Sequence, residues 1–272
     1  MEYSPTIYEI MAGVIARELR DDETWFVGLA TGEETILLLS RVPLVAMGLA
    51  HRTHAPNSTI MIPGLFNPVV SEASTAMEAE FGDRIRDWRC EMYSTLSPTI
   101  HECTHTRGEV GLGFSSVAQV DKYGNCNIVC IGDYEKPRVR LIGPIHQPGH
   151  LACFGREVIV VDHEKRNFVD RVDFISGVGF LDGPGARERL GLPGGGPCMI
   201  LTNKAVFDFH PETRLARLES IHPGVSLDDV RENTGFTHDY IPDDVPETPP
   251  PRQEEIRIIR ELVDPRAALL PR

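Results

Sequence analysis

Apolar residues recur with a helical period at the start of the chain. Ile7, Ile10, Met11, Val14, Ile15 and Leu19 share one face between Pro5 and Arg20, which predicts an amphipathic helix. Trp25-Phe26-Val27-Gly28 follows as a first strand, so helix and strand alternate from the beginning. Pro43, suited to a first helical turn, opens a second helix through Leu44, Val45, Met47 and Leu49 toward His51. That helix delivers the chain to Ser58–Ile62, where Thr59-Ile60-Met61-Ile62 reads as a buried strand broken sharply by Pro63-Gly64.

Further runs of β-branched and aromatic residues predict strands at Gly113–Val120, Asn127–Ile131, Glu157–Val161, Cys198–Thr202 and Ala205–Phe209, separated by Gly, Asn or Asp turns. Ser226-Leu227-Asp228-Asp229 resembles a capping box, placing a short helix from Leu227 to Asn233 that stops at Gly235. DDVPETPPP reads as an extended proline-rich connector. Beyond it, Ile256, Ile258, Ile259 and Leu262 mark a final amphipathic helix. The expected organisation is one domain over 1–241, a linker over 242–251, and a helix and tail over 252–272 that pack on the same domain or on a partner. No repeat interrupts it.

Composition narrows the classes of function. A chain of 272 residues, 41% hydrophobic, can bury a real core. Its formal charge of −13 opposes binding to nucleic acid or to anionic membranes. No apolar run approaches the roughly 20 residues needed to span a bilayer, and MEYSPTIYEI has neither a basic nor an apolar leader region. Cys90, Cys103, Cys126, Cys130, Cys153 and Cys198 are scattered without C-x-x-C spacing, as reduced thiols of a cytoplasmic protein would be.

Three local patterns carry candidate chemistry. His101-Glu102-Cys103-Thr104-His105 has zincin spacing, with two histidines sharing a helix face around a glutamate base. Gly111 stands where a third ligand would be needed, and Pro98 leaves less than a turn of helix ahead of His101, so the expectation is a solvated helix face and no metal. The stretch DGPGARERLGLPGGGP has neither G-K-[ST] nor G-x-G-x-x-G, and reads as a long, tightly turning loop. From Ser115 to Asn127, a strand ending in small residues precedes a Tyr123-Gly124-Asn125 turn. Its backbone N–H groups and amides either hold an acyl oxygen or merely close a hairpin.

A resemblance spans these patterns. QVDKYGNCN, IGDYEKPRVR, VDHEKRNFVDRVDFISGVGFLDGPGARERLGLPG and HPGVSLDDVRENTGF, followed by RIIRELVDP, are similar in order and spacing to motifs of family I coenzyme A transferases. Within that family they most resemble the β-subunit of the glutaconate CoA-transferase type. The N-terminal half is less similar, with an extra segment around Ala30 to Arg41. The resemblance implies an α/β protein with a three-layer α/β/α, NagB/RpiA-like fold and a mostly parallel sheet. It also implies an obligate α-like subunit in an α2β2 or larger assembly, an acyl-CoA substrate, no permanently bound cofactor, and an active site between the two chains.

The departures from the family are as informative as the matches. In the transferases the strand corresponding to Ser58–Ile62 ends in Glu-Ser-Gly, whose glutamate attacks the acyl-CoA; here Pro63-Gly64 stands instead, and no ionisable residue lies between Ile60 and Asn67. Relatives lacking that glutamate include ring-cleaving hydrolases and decarboxylases. The paired glycines whose amides polarise the thioester oxygen correspond to Ser116-Val117, while Gln119, Asn125 and Asn127 match the family. In GPIHQPGHLACF a Pro-Gly replaces a glycine-rich G-S-G-G, and His146 and Gln147 occupy positions of small residues. His146 is either an acid–base group or a solvent-facing loop histidine. The residues expected to act are His146, Gln119 and Ser116, with Pro63, Gly64, Asn67, Ser115, Val117, Asn125, Asn127, Gly143 and Gln147 shaping the substrate site.

The expected activity is therefore that of a β-subunit acting on an acyl-CoA thioester by hydrolysis or lyase C–C cleavage without a glutamyl intermediate on this chain. Three alternatives stand beside it: a true transferase using a carboxylate from elsewhere, a non-catalytic structural subunit, and a zinc hydrolase built on the HECTH pattern.

Overall fold

The computed structural model describes residues 3–28, 33–75, 88–94, 108–236 and 241–272. They fall into two compact units, Met1–Thr104 with Glu109–Phe114 and Pro249–Arg272, and His105–Gly108 with Ser115–Thr248. The HECTH pattern lies outside the described residues.

In the first unit the N-terminal helix spans Ile7–Glu18. Thr6 caps it in a reciprocal box, its hydroxyl accepting from the Glu9 N–H at 3.3 Å while the Glu9 carboxylate accepts from the Thr6 N–H at 2.8 Å. Strands β1 (Thr24–Phe26), β2 (Thr59–Ile62), β3 (Leu65–Pro68), β4 (Cys90–Tyr93) and β5 (Val110–Ser116, of which Val110–Phe114 belongs here) form a sheet in the order β5-β1-β2-β3-β4. Strand β1 pairs in parallel with both β2 and β5, whereas β2–β3 and β3–β4 are antiparallel. Trp25, Phe26, Met11, Ile15, Leu44 and Met47 are fully buried in its core.

The second predicted helix begins ten residues earlier than its proline suggests: Glu33–Thr53 is one continuous helix of 21 residues, π-wound over Leu37–Arg41. The π segment absorbs the entry into Pro43, which lacks an N–H to donate. By length and composition this helix would span a bilayer, contrary to the expectation that no run comes close. Of its 18-residue apolar window, however, 67% is buried within the protein, and it packs against the N-terminal helix, as a core helix does.

The C-terminal helix Gln253–Ile258 continues as a π turn over Ile259–Val263 and packs on the same long helix. Ile256, Ile259 and Val263 are buried, but Leu262, expected on that apolar face, is exposed because the π turn rotates it outward. Arg260 from this segment pairs with buried Glu9 through Nε at 2.7 Å and Nη2 at 2.8 Å.

In the second unit β6 (Gln119–Asp121) pairs antiparallel with β7 (Cys126–Asn127). Short strands β8 (Cys130–Ile131) and β9 (Val139–Arg140) form a hairpin. The main ladder runs β14-β13-β12-β10, with β10 (Arg156–Val160) parallel to β12 (Pro197–Leu201), and β13 (Ala205–Phe209) and β14 (Ala216–Ile221) antiparallel; β11 (Phe168–Val169) lies parallel to β6. Two predicted strands are each split. The run 113–120 breaks at Val117-Ala118, and 127–131 breaks at Ile128-Val129, where the Asn127 side chain takes the Val129 N–H at 3.0 Å. The helix Leu227–Asn233 has its predicted bounds, with the Ser226 hydroxyl accepting from the Asp229 N–H at 3.1 Å.

The proline-rich stretch is hydrogen-bonded rather than loose. Ile221 donates to the Pro246 carbonyl at 3.0 Å, and Thr248 donates to Ile221 at 2.7 Å and bonds His222 through its hydroxyl at 3.0 Å.

Burial alone would raise the Glu9 pKa, but hydrogen bonds from Arg260 and Thr6 and the Arg260 charge carry it below the ordinary carboxylate value. Arg260→Ala would leave that carboxylate inside without its counter-charge, and should cost about 3 kcal/mol in urea unfolding at pH 7. The deficit should shrink as pH falls through the acid range, because a protonated Glu9 no longer needs Arg260.

Candidate functional site

The turn after β2 has a definite geometry. Ile62 pairs with Leu65, leaving Pro63-Gly64 as a two-residue hairpin loop. Gly64 has φ +89°, the left-handed value that the third position of a type II turn demands, and Pro63 supplies the fixed φ ahead of it. The Gly64 carbonyl accepts from the Ser94 N–H at 2.8 Å. Asn67 lies farther along β3 with φ +47°, and its side chain is committed to the sheet: Oδ1 accepts from the Ile60 N–H and Nδ2 donates to Glu91 Oε2, each at 2.8 Å. Pro63 and Gly64 thus form a rigid wall, and Asn67 holds strands together.

In the second unit the remaining predicted residues converge. Asp121 is buried and caps the turn after β6: its Oδ1 accepts from the Tyr123 and Asn125 N–H groups at 3.0 Å, and its Oδ2 from Asn125 Nδ2 at 3.0 Å. Burial raises its pKa in spite of these bonds. Asn125 Oδ1 accepts in turn from the Gly179 and Leu181 N–H groups, both at 3.0 Å. Asn127 Nδ2 reaches Gln119 Oε1 and the Cys130 carbonyl, each at 2.7 Å. Gln119 Nε2 donates to Asp173 Oδ2 at 3.1 Å, and its Oε1 also accepts from the Asp173 N–H at 3.1 Å. Gln119, Asn125 and Asn127 thus form an internal amide lattice beneath the strand end.

Above that lattice lies Ser115-Ser116-Val117. The Ser115 hydroxyl turns inward to Glu157 Oε1 at 2.6 Å. Ser116 presents its carbonyl to Gln147 Nε2 at 2.8 Å. The Ala118 N–H is bonded to the Asn127 carbonyl at 2.9 Å, while the Val117 N–H donates to no acceptor among the described residues. The side chain of Val117 packs against the core of this unit.

GPIHQPGHLACF is not wholly a loop: Gln147–Cys153 is a helix, with Pro148 tolerated in its first turn and His146 at the N-cap. Gly143 turns the chain toward it with φ +88°, and a side chain there would meet open space. Gln147 is held from both sides, donating to Ser116 and accepting from Ser176 Oγ at 2.7 Å. His146 is exposed, and its ring stacks on His150 with centroids 6.3 Å apart. Ser115, Ser116, Val117, Gln147 and His146 are therefore gathered at one end of β5 and the adjoining helix.

Three buried neighbours of these residues are not apparent from the sequence. Arg187, inside the glycine-dense stretch, is buried and donates to the carbonyls of Leu151 (2.7 Å), Val178 (2.8 Å), Gly179 (3.0 Å) and Gly194 (2.9 Å), tying the His146 helix to the loop. Glu157 and His150 are buried beneath Ser115. Glu157 opens a predicted strand, and nothing in its local pattern sets it apart from a solvent-facing alternation. Among the described residues no group of three His, Cys, Asp or Glu is placed to hold a metal ion.

The chain is thus an α/β protein whose strand ends and helix N-terminus present backbone donors and amides, with no nucleophilic side chain at the Pro63 turn. The coenzyme A transferase family profile matches residues 101–233. The β-subunit of glutaconate CoA-transferase from Acidaminococcus fermentans is 33% identical over 268 residues, covering 96% of this chain and 94% of that one. The corresponding subunit of 3-oxoadipate CoA-transferase from Pseudomonas knackmussii is 32% identical, covering 93% and 92%. The cholesterol ring-cleaving hydrolase IpdB subunit of Mycobacterium tuberculosis is 34% identical, covering 87% and 89%. The crystal structure of the A. fermentans glutaconate enzyme superposes with a TM-score of 0.79 at 30% identity over 100% of both chains. This protein belongs to the coenzyme A transferase family.

Replacing Arg187 by Met would leave at least four buried carbonyls short of a donor. Urea unfolding should show a loss of about 3 kcal/mol. Arg187→Lys should recover less than half of it, because one ammonium lacks the planar fork that reaches acceptors on several sides.

Proposed function

We propose that this chain is the β-type subunit of a heteromeric enzyme that acts on an acyl-CoA thioester, by hydrolytic or lyase C–C cleavage, without forming a glutamyl intermediate on this chain. The observation that carries the reading is the Pro63-Gly64 hairpin: β2 ends in a turn whose side chains have no oxygen or sulfur with which to attack a carbonyl carbon. A relative whose name is that of a ring-cleaving hydrolase subunit supports the choice of reaction. Coenzyme A enters as part of the substrate, and no other cofactor is invoked.

In this reading the Val117 N–H, with neighbouring backbone donors, polarises the thioester oxygen. Ser116 and Gln147 set its direction, Gln119, Asn125 and Asn127 brace it from below, and Gly143 leaves space for substrate. His146 is the acid–base group of this chain.

An α-type partner is supported by the apolar surface next to His146. Ile142 is 67% exposed and Ile145 77% exposed, with Val139, Tyr134 and Ile175 also uncovered in the same unit. The free thiols of Cys90, Cys126, Cys130, Cys153 and Cys198 suit a reducing cytoplasm.

One observation favours a second reading, true transfer with a displaced nucleophile. Glu91 on β4 bonds Asn67, two strands from β2, and is a carboxylate of this chain.

The test is to co-purify the chain with its genomic neighbour, add glutaconyl-CoA, and treat with hydroxylamine. Expected is a complex with an α-type subunit and no hydroxamate on this chain. A hydroxamate at Glu91 would convert the reading to transfer, and a stable homo-oligomer that recruits no second subunit would refute the subunit assignment. In the active complex His146→Ala should lower kcat about 100-fold with KM little changed.

A further inference from the structure

Glu157 is a buried carboxyl that the proposed chemistry does not use. It sits in β10 with 1% of its surface exposed, and its Oε2 has no hydrogen-bond partner among the described residues. Its Oε1 bonds the Ser115 hydroxyl at 2.6 Å and lies 3.8 Å from Nδ1 of His150. A carboxylate ion placed here would carry a full charge with one hydrogen bond and an oxygen left bare, an arrangement of several kcal/mol cost. A neutral carboxyl has no net charge to desolvate, so its cost is confined to one unpaired polar atom.

We infer that Glu157 is a positioning residue that works as a neutral carboxylic acid. Bonded to Ser115 and lying against His150, it holds the strand end Ser115–Val117 and the helix bearing His146 and Gln147 in one fixed relation. The contacts form a closed frame. Ser115 joins β5 to β10, His150 sets the helix against β10, and Gln147 returns from the same helix to the Ser116 carbonyl. Ionising Glu157 places a charge at the corner of this frame, drawing His150 or water toward it and releasing the others.

Titratable groups next to Glu157 include His150 on the helix, the Cys126 thiol on β7 and the Cys198 thiol on β12, the last donating to the Glu157 backbone carbonyl at 3.5 Å. The buried guanidinium of Arg187, beside Gly196, is committed to the carbonyls of Leu151, Val178, Gly179 and Gly194. Burial accordingly pushes its pKa up to about 8, with the Ser115 bond opposing. The neutral form then falls from about nine-tenths at pH 7 to about one-tenth at pH 9.

The inference rests on reading Ser116-Val117 as the thioester-oxygen segment, and its test separates the two claims. In the complex with the partner subunit, infrared difference spectra at pH 7 should contain a protonated-carboxyl carbonyl band that is absent from Glu157→Gln and fades between pH 7 and pH 9. Amide hydrogen exchange at Ser116–Ala118, corrected for the intrinsic pH dependence, should quicken about ninefold over that range in the wild type and stay flat in Glu157→Gln. Turnover of glutaconyl-CoA should lose its alkaline limb in Glu157→Gln.

If the infrared and exchange results appear but glutaconyl-CoA is neither bound nor turned over, the positioning claim stands and the functional reading falls. No carboxyl band at pH 7, or an exchange response identical in wild type and variant, overturns the inference. Should Glu157→Gln fail to fold, Ser115→Ala serves instead: exchange at Ser116–Ala118 unchanged at pH 7 would equally overturn it.

Discussion

The candidate site depends on the two-sided grip on Gln147. Its carboxamide donates to the Ser116 carbonyl and accepts from Ser176, so the first residue of a seven-residue helix is bolted to a strand end on one side and to a loop on the other. So short a helix has little stability of its own. Without the grip, and without Arg187 satisfying the carbonyls of Leu151 and Ala152 at its far end, His146 would sit on a fraying turn. A side chain on a fraying turn keeps no fixed position.

That dependence explains why polar side chains are concentrated below Ser115–Val117. Asp121, Asn125, Asn127 and Gln119 are all buried, and each buried polar atom costs free energy unless it is bonded. Their mutual bonds meet that requirement and turn a two-residue strand pairing into a rigid platform. A purely apolar turn of equal length would pack as well but would not fix the direction of the backbone N–H groups above it.

Where local chemistry alone decides structure, the sequence was legible. Ser226 with Asp229 three residues on places the helix Leu227–Asn233 to the residue, and Pro63-Gly64 ends β2 where expected. Where tertiary contacts decide, it was not. The helix at Gln147 is hidden by Pro148 and Gly149, which locally signal a turn, and it exists because Arg187, Ser116 and Ser176 hold it. Strand β14 alternates exposed Arg217 and Glu219 with buried Ala216 and Leu218, and its charged positions carry no β-favouring residue to mark it. Site residues were legible only through the family motifs. Glu157 falls outside those motifs, and it and His150 become visible only once Ser115 is placed beside them.

Where the family resemblance implies paired glycines, this chain has Ser116-Val117. Glycine amides are accessible but conformationally loose, so holding two of them in line costs backbone entropy. A β-branched Val117 whose side chain is anchored in the core has far fewer backbone states, and Ser116 is pinned through its carbonyl. The Val117 donor is therefore well ordered. A covalent mechanism needs room for an anhydride and a second acyl acceptor to pass through one position. Polarising a thioester that stays attached to coenzyme A throughout needs only one oxygen to be held still. Under the proposed function, the absence of a nucleophile at Pro63-Gly64 and the anchored donor at Val117 both favour reactions that keep the bond to coenzyme A intact.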